Sequence, residues 1–290
     1  MTARTPTAAG AGSTAVTRAE YCVIACAEVW RGAGEVLASP MGTVPALGAR
    51  LAKLTFSPDL LLTDGEALLV DGGPAAGATG APSAVTEGWL PYRRHLTLVA
   101  TGRRHVMMGA SQIDRYGNQN ISCIGDWARP SRQLLGVRGA PVNTLNNPTS
   151  YWVPKHSLRT FVERVDMVCG VGYDRAASAG PSATRYHRVP EVVSDLGVFD
   201  FETPGRTMRI RSLHPGVRLA DVRAATGFTL RLPDGGGADG CGSGGDGPDG
   251  GVPDGGVPST REPTFQELRL LREVVDPRGL RDREVPPCGP

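Results

Sequence analysis

Lysine is nearly missing from this chain: Lys53 and Lys155 are the only two among 31 basic side chains. Positive charge is therefore carried by arginine, which suits fixed carboxylate or phosphate contacts and equally suits a GC-rich coding bias. The 31 basic and 29 acidic residues are interspersed and leave a net charge of +2, so there is no electrostatic case for nucleic acid or a membrane surface. No apolar run approaches the roughly 20 residues of a membrane span. Thr2–Ala15 is rich in Ala, Thr and Gly and lacks the apolar stretch of a secretion signal. The six cysteines form no Cys-x-x-Cys and no metal-ligand spacing; they read as buried, reduced thiols of a cytoplasmic protein. Gly-x-Ser-x-Gly, His-Glu-x-x-His and the Walker A loop are missing, and no Gly-x-Gly-x-x-Gly follows an apolar strand. The usual signatures of a serine nucleophile, a zinc peptidase, a P-loop and a dinucleotide fold are thereby removed. No metal site is expected.

What is present is a core. At 290 residues and 40% hydrophobic, the chain can bury one large domain. Thr17-Arg-Ala-Glu20 is a capping box that opens a helix running to about Trp30. Glu35–Ala38 reads as a strand, Pro45–Leu54 as a helix, and Asp59–Thr63, Leu96–Ala100, Val106–Ala110, Val165–Gly170 and Val192–Phe199 as further strands. Strands alternating with helices at these lengths predict an α/β fold with an open, largely parallel sheet and flanking helices. Thr207–Ser212 alternates and predicts a late antiparallel strand. Asp234–Gly256 differs in kind: 12 of its 23 residues are glycine and five are aspartate. It has too little apolar surface to offset its ordering entropy. The organisation expected is a tail at 1–15, an α/β domain over 16–233, a disordered Gly/Asp-rich insertion at 234–258, and a C-terminal helix and tail at 259–290. The last helix should span Thr264–Val275, with Pro263 outside its start and Pro277 and Gly279 closing it.

Residues 108–152 concentrate polar side chains and glycines directly after an apolar strand, as α/β proteins do where they line a ligand crevice. Gly109-Ala110-x-Gln112-x-Asp114-x-x-Gly117-Asn118 is followed by Gly136-x-x-Gly139-Ala140. Tyr116-Gly117-Asn118 also satisfies an ordinary turn. In this order the two signals resemble the β-subunits of class I coenzyme A transferases. Glu191-Val-Val-Ser-Asp-Leu-Gly-Val-Phe199, Pro215-Gly216 and Ala224-Ala225-Thr226-Gly227 extend the resemblance, which covers residues 15–232 in outline.

The chain departs from that family at one place. The transferases carry a Ser-Glu-Asn-Gly motif whose glutamate attacks the acyl-CoA. Aligning the leucine pair of Leu60-Leu61-Leu62-Thr63-Asp64-Gly65-Glu66-Ala67-Leu68-Leu69 puts Gly65 at that glutamate. Neighbours on a strand or tight turn point to opposite sides, so neither Asp64 nor Glu66 is expected to replace it, and the covalent mechanism needs a carboxylate there. Thr63–Leu69, Asn118–Ser122, Gly125-Asp126-Trp127, Asn146–Trp152 and Asp276-Pro-Arg-Gly-Leu-Arg281 resemble a sub-branch of the family, the β-subunits of steroid ring-opening hydrolases. That resemblance implies a working glutamate on a separate α-subunit, an α2β2 assembly, a CoA thioester as substrate and no cofactor beyond the CoA it carries. This chain would then contribute no catalytic side chain and one wall of the pocket.

Gln112, Gly136, Gly139, Asn143, Asn146 and Asn147 are the candidate substrate contacts, with the backbone at Gly136–Ala140 as an oxyanion site. The asparagines have the competing role of capping backbone. Arg93-Arg94 and Arg103-Arg104 are either CoA phosphate contacts or solvated turns. Tyr151-Trp152 is either a wall against a flat substrate or an anchor for its loop. His105, His156 and His187 read as structural. Two rivals stay open: a true transferase β-subunit using Asp64 or Glu66, and a non-catalytic CoA-binding subunit.

Overall fold

The computed structural model describes residues 15–65, 67–72, 85–233 and 256–285. The expected tail at 1–15 and insertion at 234–258 fall almost wholly outside these residues, as does Glu66. Thr17 opens helix α1 (Arg18–Glu28) with the expected capping box: its hydroxyl accepts from Glu20 N–H, and the Glu20 carboxylate accepts from Thr17 N–H. Strand β1 (Leu37–Pro40), helix α2 (Thr43–Leu54) and helix α3 (Tyr92–Val99) follow. Next come β2 (Arg104–Gly109), helix α4 (Ala140–Asn146), β3 (Thr149–Val153), β4 (Val192–Ser194), β5 (Gly197–Asp200) and β6 (Arg209–Leu213). The six strands form one sheet in the order β1-β2-β3-β4-β5-β6. Pairing is parallel from β1 to β4 and antiparallel from β4 to β6. Leu61 adds a parallel bridge to Leu37 on the outer side of β1. The expected α/β architecture with a largely parallel sheet is what the chain adopts.

Side chains alternate across the sheet. Met107, Trp152 and Val193 face a core made with α1 and α2, while Val106, Met108, Tyr151, Val153 and Val192 face a second core with Phe161, Phe199 and Ile210. Burial on both faces explains why the parallel strands read as continuous apolar runs. Helices α1 and α2 approach closely because Gly48 lacks a side chain: a Cβ there would lie 2.9 Å from both Cys26 Cβ and Ala27 N. Gly48→Ala is expected to cost about 1–3 kcal/mol of overpacking strain, lowering the melting temperature by at least about 2 °C. An unchanged melting curve would show that the helix pair separates freely.

Three expected strands are corrected. Leu96–Ala100 belongs mostly to helix α3, because Tyr92, Leu96 and Val99 repeat at helical spacing behind Pro91. Val165–Gly170 forms no strand; Cys169 N–H and Gly170 N–H both reach Gln119 O, so the segment has no ladder partner beyond an isolated bridge. Val192–Phe199 breaks into β4 and β5, where Ser194 Oγ accepts from Leu196 N–H and turns the chain. The late antiparallel strand is present as β6.

The C-terminal segment begins with a second capping box, Thr264 with Glu267, and runs as Phe265–Leu270 into a π-helical turn, Leu271–Val275. Asp276 then accepts from the N–H groups of Leu280 and Arg281 and pairs with the Arg281 guanidinium at 2.9 Å. Arg281 and Arg272 both reach Glu20, which is fully buried in α1. Burial pushes the Glu20 carboxyl up, but Arg272, the Thr17 N–H and Arg281 outweigh it and hold the group below its ordinary value. Asp276–Arg281 is therefore a latch onto α1. Among the described residues no helix is long and apolar enough to cross a membrane.

Candidate active-site cleft

The chain leaves β1 for Leu61 on one side and returns to β2 on the other, so strand order reverses between β1 and β2. Open α/β sheets bind ligands at such a reversal, outside the carboxyl ends of the strands. A cleft of 880 Å³ lies there. Met41 follows β1, Gly109–Ser111 end and follow β2, and Trp152 and Pro154 mark the end of β3. Leu96 and Val99 of α3 and Gly139, Ala140, Val142 and Asn143 at α4 form the facing wall. The lining is mostly apolar, with Arg104, Arg138 and Glu284 as its charged groups.

Asn143 is buried, with Oδ1 accepting from Arg104 Nη1 at 3.1 Å. Arg104 Nε donates to Ser39 Oγ at 2.7 Å, and burial lowers its pKa. Its partners are neutral, so the guanidinium keeps an uncompensated charge in the wall of the cleft. Gly139 is the N-cap of α4 and lines the cleft, but the Ala140 N–H already donates to Val137 O. The loop between them is held in left-handed conformations, Gly136 at φ +87° and Arg138 at φ +48°. A non-glycine residue in that region stores strain of the kind found at binding sites.

Three of the candidate contacts lie elsewhere. Gln112 is buried in a network away from the cleft, donating to Asp166 Oδ2 and accepting from Asn120 and from Asp166 N–H. Asn146 donates to Val142 O on its own helix. Asn147 is fully buried and donates to Val99 O at 2.8 Å, tying α4 to the end of α3. Gly136 is in the adjoining loop, with nothing within 4 Å of where a Cβ would stand. The Gln112–Asn118 signature is chiefly scaffolding: Asp114 Oδ1 accepts from Tyr116 and Asn118 N–H, and Asn118 Nδ2 bridges Asp114 and Asp174. Of the arginine pairs, Arg104 alone reaches the cleft; Arg93, Arg94 and Arg103 are exposed. Trp152 lines the cleft, while Tyr151 is buried in the opposite core. His105 contacts Ser150 Oγ, His156 stacks on Phe161 between Ser194 and Thr226, and His187 meets Val171 O, so none enters the cleft.

A smaller cleft of 460 Å³ adjoins the first and shares Met41 and Arg104 with it. Asp64 and Gly65 line it. Gly65 adopts φ +96° in open space, so a side chain there meets no obstacle but a strained backbone. Asp64 Oδ1 accepts from Leu68 N–H, closing the turn in which Gly65 sits.

Glu284 is the contribution sequence reading missed entirely. It comes from the far C-terminal segment, and its Oε2 accepts from Val44 N–H at 2.7 Å, capping α2 where Gly42 cannot. Leu96 was hidden by reading α3 as a strand; its spacing of four from Tyr92 was the available signal. Leu96 and Leu135 are 62% and 75% exposed beside the half-exposed Met41 and Val142. Large apolar side chains gathered around a cleft mark a surface that another molecule covers.

No model of a known protein family matches the chain. It is 55% identical over 273 residues to the cholesterol ring-cleaving hydrolase IpdB subunit of Rhodococcus jostii (strain RHA1), a match spanning 94% of this chain and 97% of that one. The IpdB subunit of Mycobacterium tuberculosis (strain ATCC 25618 / H37Rv) is 52% identical over 269 residues, spanning 93% and 98%. At greater distance, a subunit of the 3-oxoadipate CoA-transferase of Pseudomonas knackmussii is 30% identical over 66% of this chain and 76% of its own. The crystal structure of Rhodococcus jostii RHA1 IpdAB matches with a TM-score of 0.81 at 54% identity, covering 94% of this chain and 99% of that one. Glutaconate coenzyme A-transferase from Acidaminococcus fermentans shares the fold, with a TM-score of 0.69 at 21% identity over 91% and 96% of the two chains. With kinship at this level along nearly the whole of both chains, the chain belongs to the family of IpdB subunits of cholesterol ring-cleaving hydrolases.

Proposed function

We propose that this chain is the β-subunit of a cytoplasmic, heteromeric α2β2 hydrolase that opens the last rings of a steroid-derived acyl-CoA by carbon–carbon bond hydrolysis. The observation that carries this reading is the likeness to the Rhodococcus jostii IpdB subunit over 94% of the chain. The apolar rim at Met41, Leu96, Leu135 and Val142 is the surface the α-subunit would cover.

In the reaction proposed, water adds to a ring ketone placed β to the thioester carbonyl. The bond between the hydrated carbon and the α-carbon then breaks. Its electron pair moves onto the α-carbon as a thioester enolate, which is protonated, and the hydrated carbon becomes a carboxylate. A glutamate of the α-subunit would serve as base. This chain's part is to seat the thioester and stabilise developing negative charge, through Arg104 and Asn143 and the backbone at Gly139. No cofactor is called for, because the CoA belongs to the substrate. Gly65 removes the carboxylate that a covalent transferase would need at that position.

Isotope labelling tests the reaction type. The assembled enzyme in ¹⁸O-water should yield a ring-opened product that keeps its CoA and gains one labelled oxygen in a new carboxylate. Passage of CoA to an added carboxylic acid, or a CoA adduct on Asp64 or Glu66, would establish the transferase rival instead.

A further inference from the structure

A groove of 1030 Å³ lies at the other end of the sheet, where β4 begins, β5 ends and α1 stops. The acids in its lining are already engaged. Glu28 pairs with Arg31 and Arg261, Glu191 with Arg211, and Asp200 and Glu202 with Arg209. Asp174 accepts from Asn118 Nδ2 at 2.8 Å and lies 4.0 Å from Arg175. Arg188 and Arg206 are left over: among the described residues neither guanidinium meets a carboxylate or another hydrogen-bond acceptor. Both face solvent, yet their placing is built. Tyr173 links them. Its hydroxyl is clamped to the Val189 backbone beside Arg188, accepting from the N–H at 3.0 Å and donating to the carbonyl at 3.2 Å. The Arg206 guanidinium lies 5.5 Å from the centre of the Tyr173 ring. Burial pushes the Tyr173 hydroxyl up, and Val189, Arg206 and Arg188 pull it back, so both cations act on one phenol. Arg206 holds φ +50° although Gly205 stands beside it. Its turn is fixed by Arg206 N–H on Thr203 O and by Thr207 N–H on Thr203 Oγ1. A strained arginine brought toward a like charge, with no acid left to answer either, marks a place where an anion enters.

We propose that this groove binds a dianionic phosphate group between Arg188 and Arg206. Two unpaired guanidinium groups match its charge, and their planar forks match its oxygens. The volume exceeds what a bare phosphate fills and admits a phosphate ester of nucleotide size. Tyr116 and Tyr173 in the lining supply aromatic walls for its ring. The groove lies at the amino end of β4, whereas the apolar cleft lies at the carboxyl ends of β1, β2 and β3, so both can be filled at once. The proposal stands independently of the reaction assigned to the cleft.

Calorimetric titration of the assembled enzyme at fixed ionic strength, with inorganic phosphate and with AMP, tests the site. Saturable binding of at least one probe is expected. Arg206→Gly and Arg188→Gln should each weaken it about tenfold or more, while Arg159→Ala, which removes an exposed arginine elsewhere, leaves it unchanged. The melting temperature of Arg206→Gly should be no lower than that of the unmodified enzyme, since glycine takes the left-handed backbone without strain. Binding lost from a variant that is not destabilised separates recognition from a structural role. A lowered melting temperature with binding kept would make Arg206 structural and overturn the proposal. Equal affinities for the two probes assign the site to free phosphate; tighter AMP binding that Tyr116→Ala weakens assigns it to a nucleotide. No saturable binding of either probe, or an equal loss in Arg159→Ala, would remove the site. So would phosphate binding abolished by a saturating pantetheine thioester, which would place the anion in the apolar cleft. Failure of Arg206→Gly to assemble, with neither probe bound by the unmodified enzyme, would give the groove to a protein contact instead.

Discussion

Asn143→Ala is expected to slow the assembled enzyme about 100-fold or more while leaving its assembly intact. The Asn143 amide stands in the cleft wall, and its Oδ1 fixes the Arg104 guanidinium at 3.1 Å. Truncation removes both a polar group facing substrate and the brace that aims a cation at developing negative charge. Loss of one such preorganised interaction costs roughly 2–4 kcal/mol of transition-state stabilisation. Asn147→Ala, four residues on, should do the opposite. Its amide holds Val99 O in the buried joint between α3 and α4, so about 1–3 kcal/mol of stability should disappear with turnover retained in the folded fraction. Steady-state rates and melting curves on the two variants separate these roles. Equal rates in Asn143→Ala and the unmodified enzyme would take that side chain out of the site.

Acid should unfold this chain unusually readily. Burial holds His105 and His156 at about 3 and His214 at about 4, against about 6.5 in an unfolded chain. As pH falls through 6.5 the unfolded state takes up three protons that the folded state refuses. The stability from keeping these rings neutral is therefore complete above pH 6.5 and drains away toward pH 3–4. At pH 5 three such sites amount to a loss on the order of 6 kcal/mol. Asp114, Glu191 and Asp195, whose carboxyls burial holds above their ordinary values, return part of this as they are protonated. Urea midpoints at pH 7 and pH 5 give the difference directly. A midpoint unmoved between them would mean that the rings accept protons in place.

Legibility in the sequence followed the range of the interaction. The Thr17 capping box lies within four residues and stands where the local pattern put it; the Thr264–Glu267 box is as local, but only a helix was read there. The apolar run of β2 and the alternation of β6 were equally plain. Val192–Phe199 was not, because eight residues with apolar pairs at both ends fit one strand as well as two, and the choice fell to Ser194 Oγ and the turn at Leu196. Asn143 and Asn147 are indistinguishable in a string of letters. Asn143 sits inside α4 and faces the cleft, whereas Asn147 is the extended C-cap of that helix and faces a buried joint. Gly65 could be placed only by resemblance, since its meaning is a side chain that is not there. Glu284 left no local trace at all; its partner, Val44 N–H, lies 240 positions away.

That last contact makes the cleft depend on a distant part of the chain. The Glu284 carboxylate holds the first turn of α2 beside Met41, and Glu284 is itself held by the latch of Arg281 on Glu20 and Asp276. One wall of the cleft therefore shares the opening free energy of the C-terminal segment, not that of the sheet on which the cleft sits. In hydrogen-exchange terms, the Val44 amide should open together with Leu280 and Arg281 as a single cooperative unit. The mouth of the cleft could then loosen without any breach of the core beneath it.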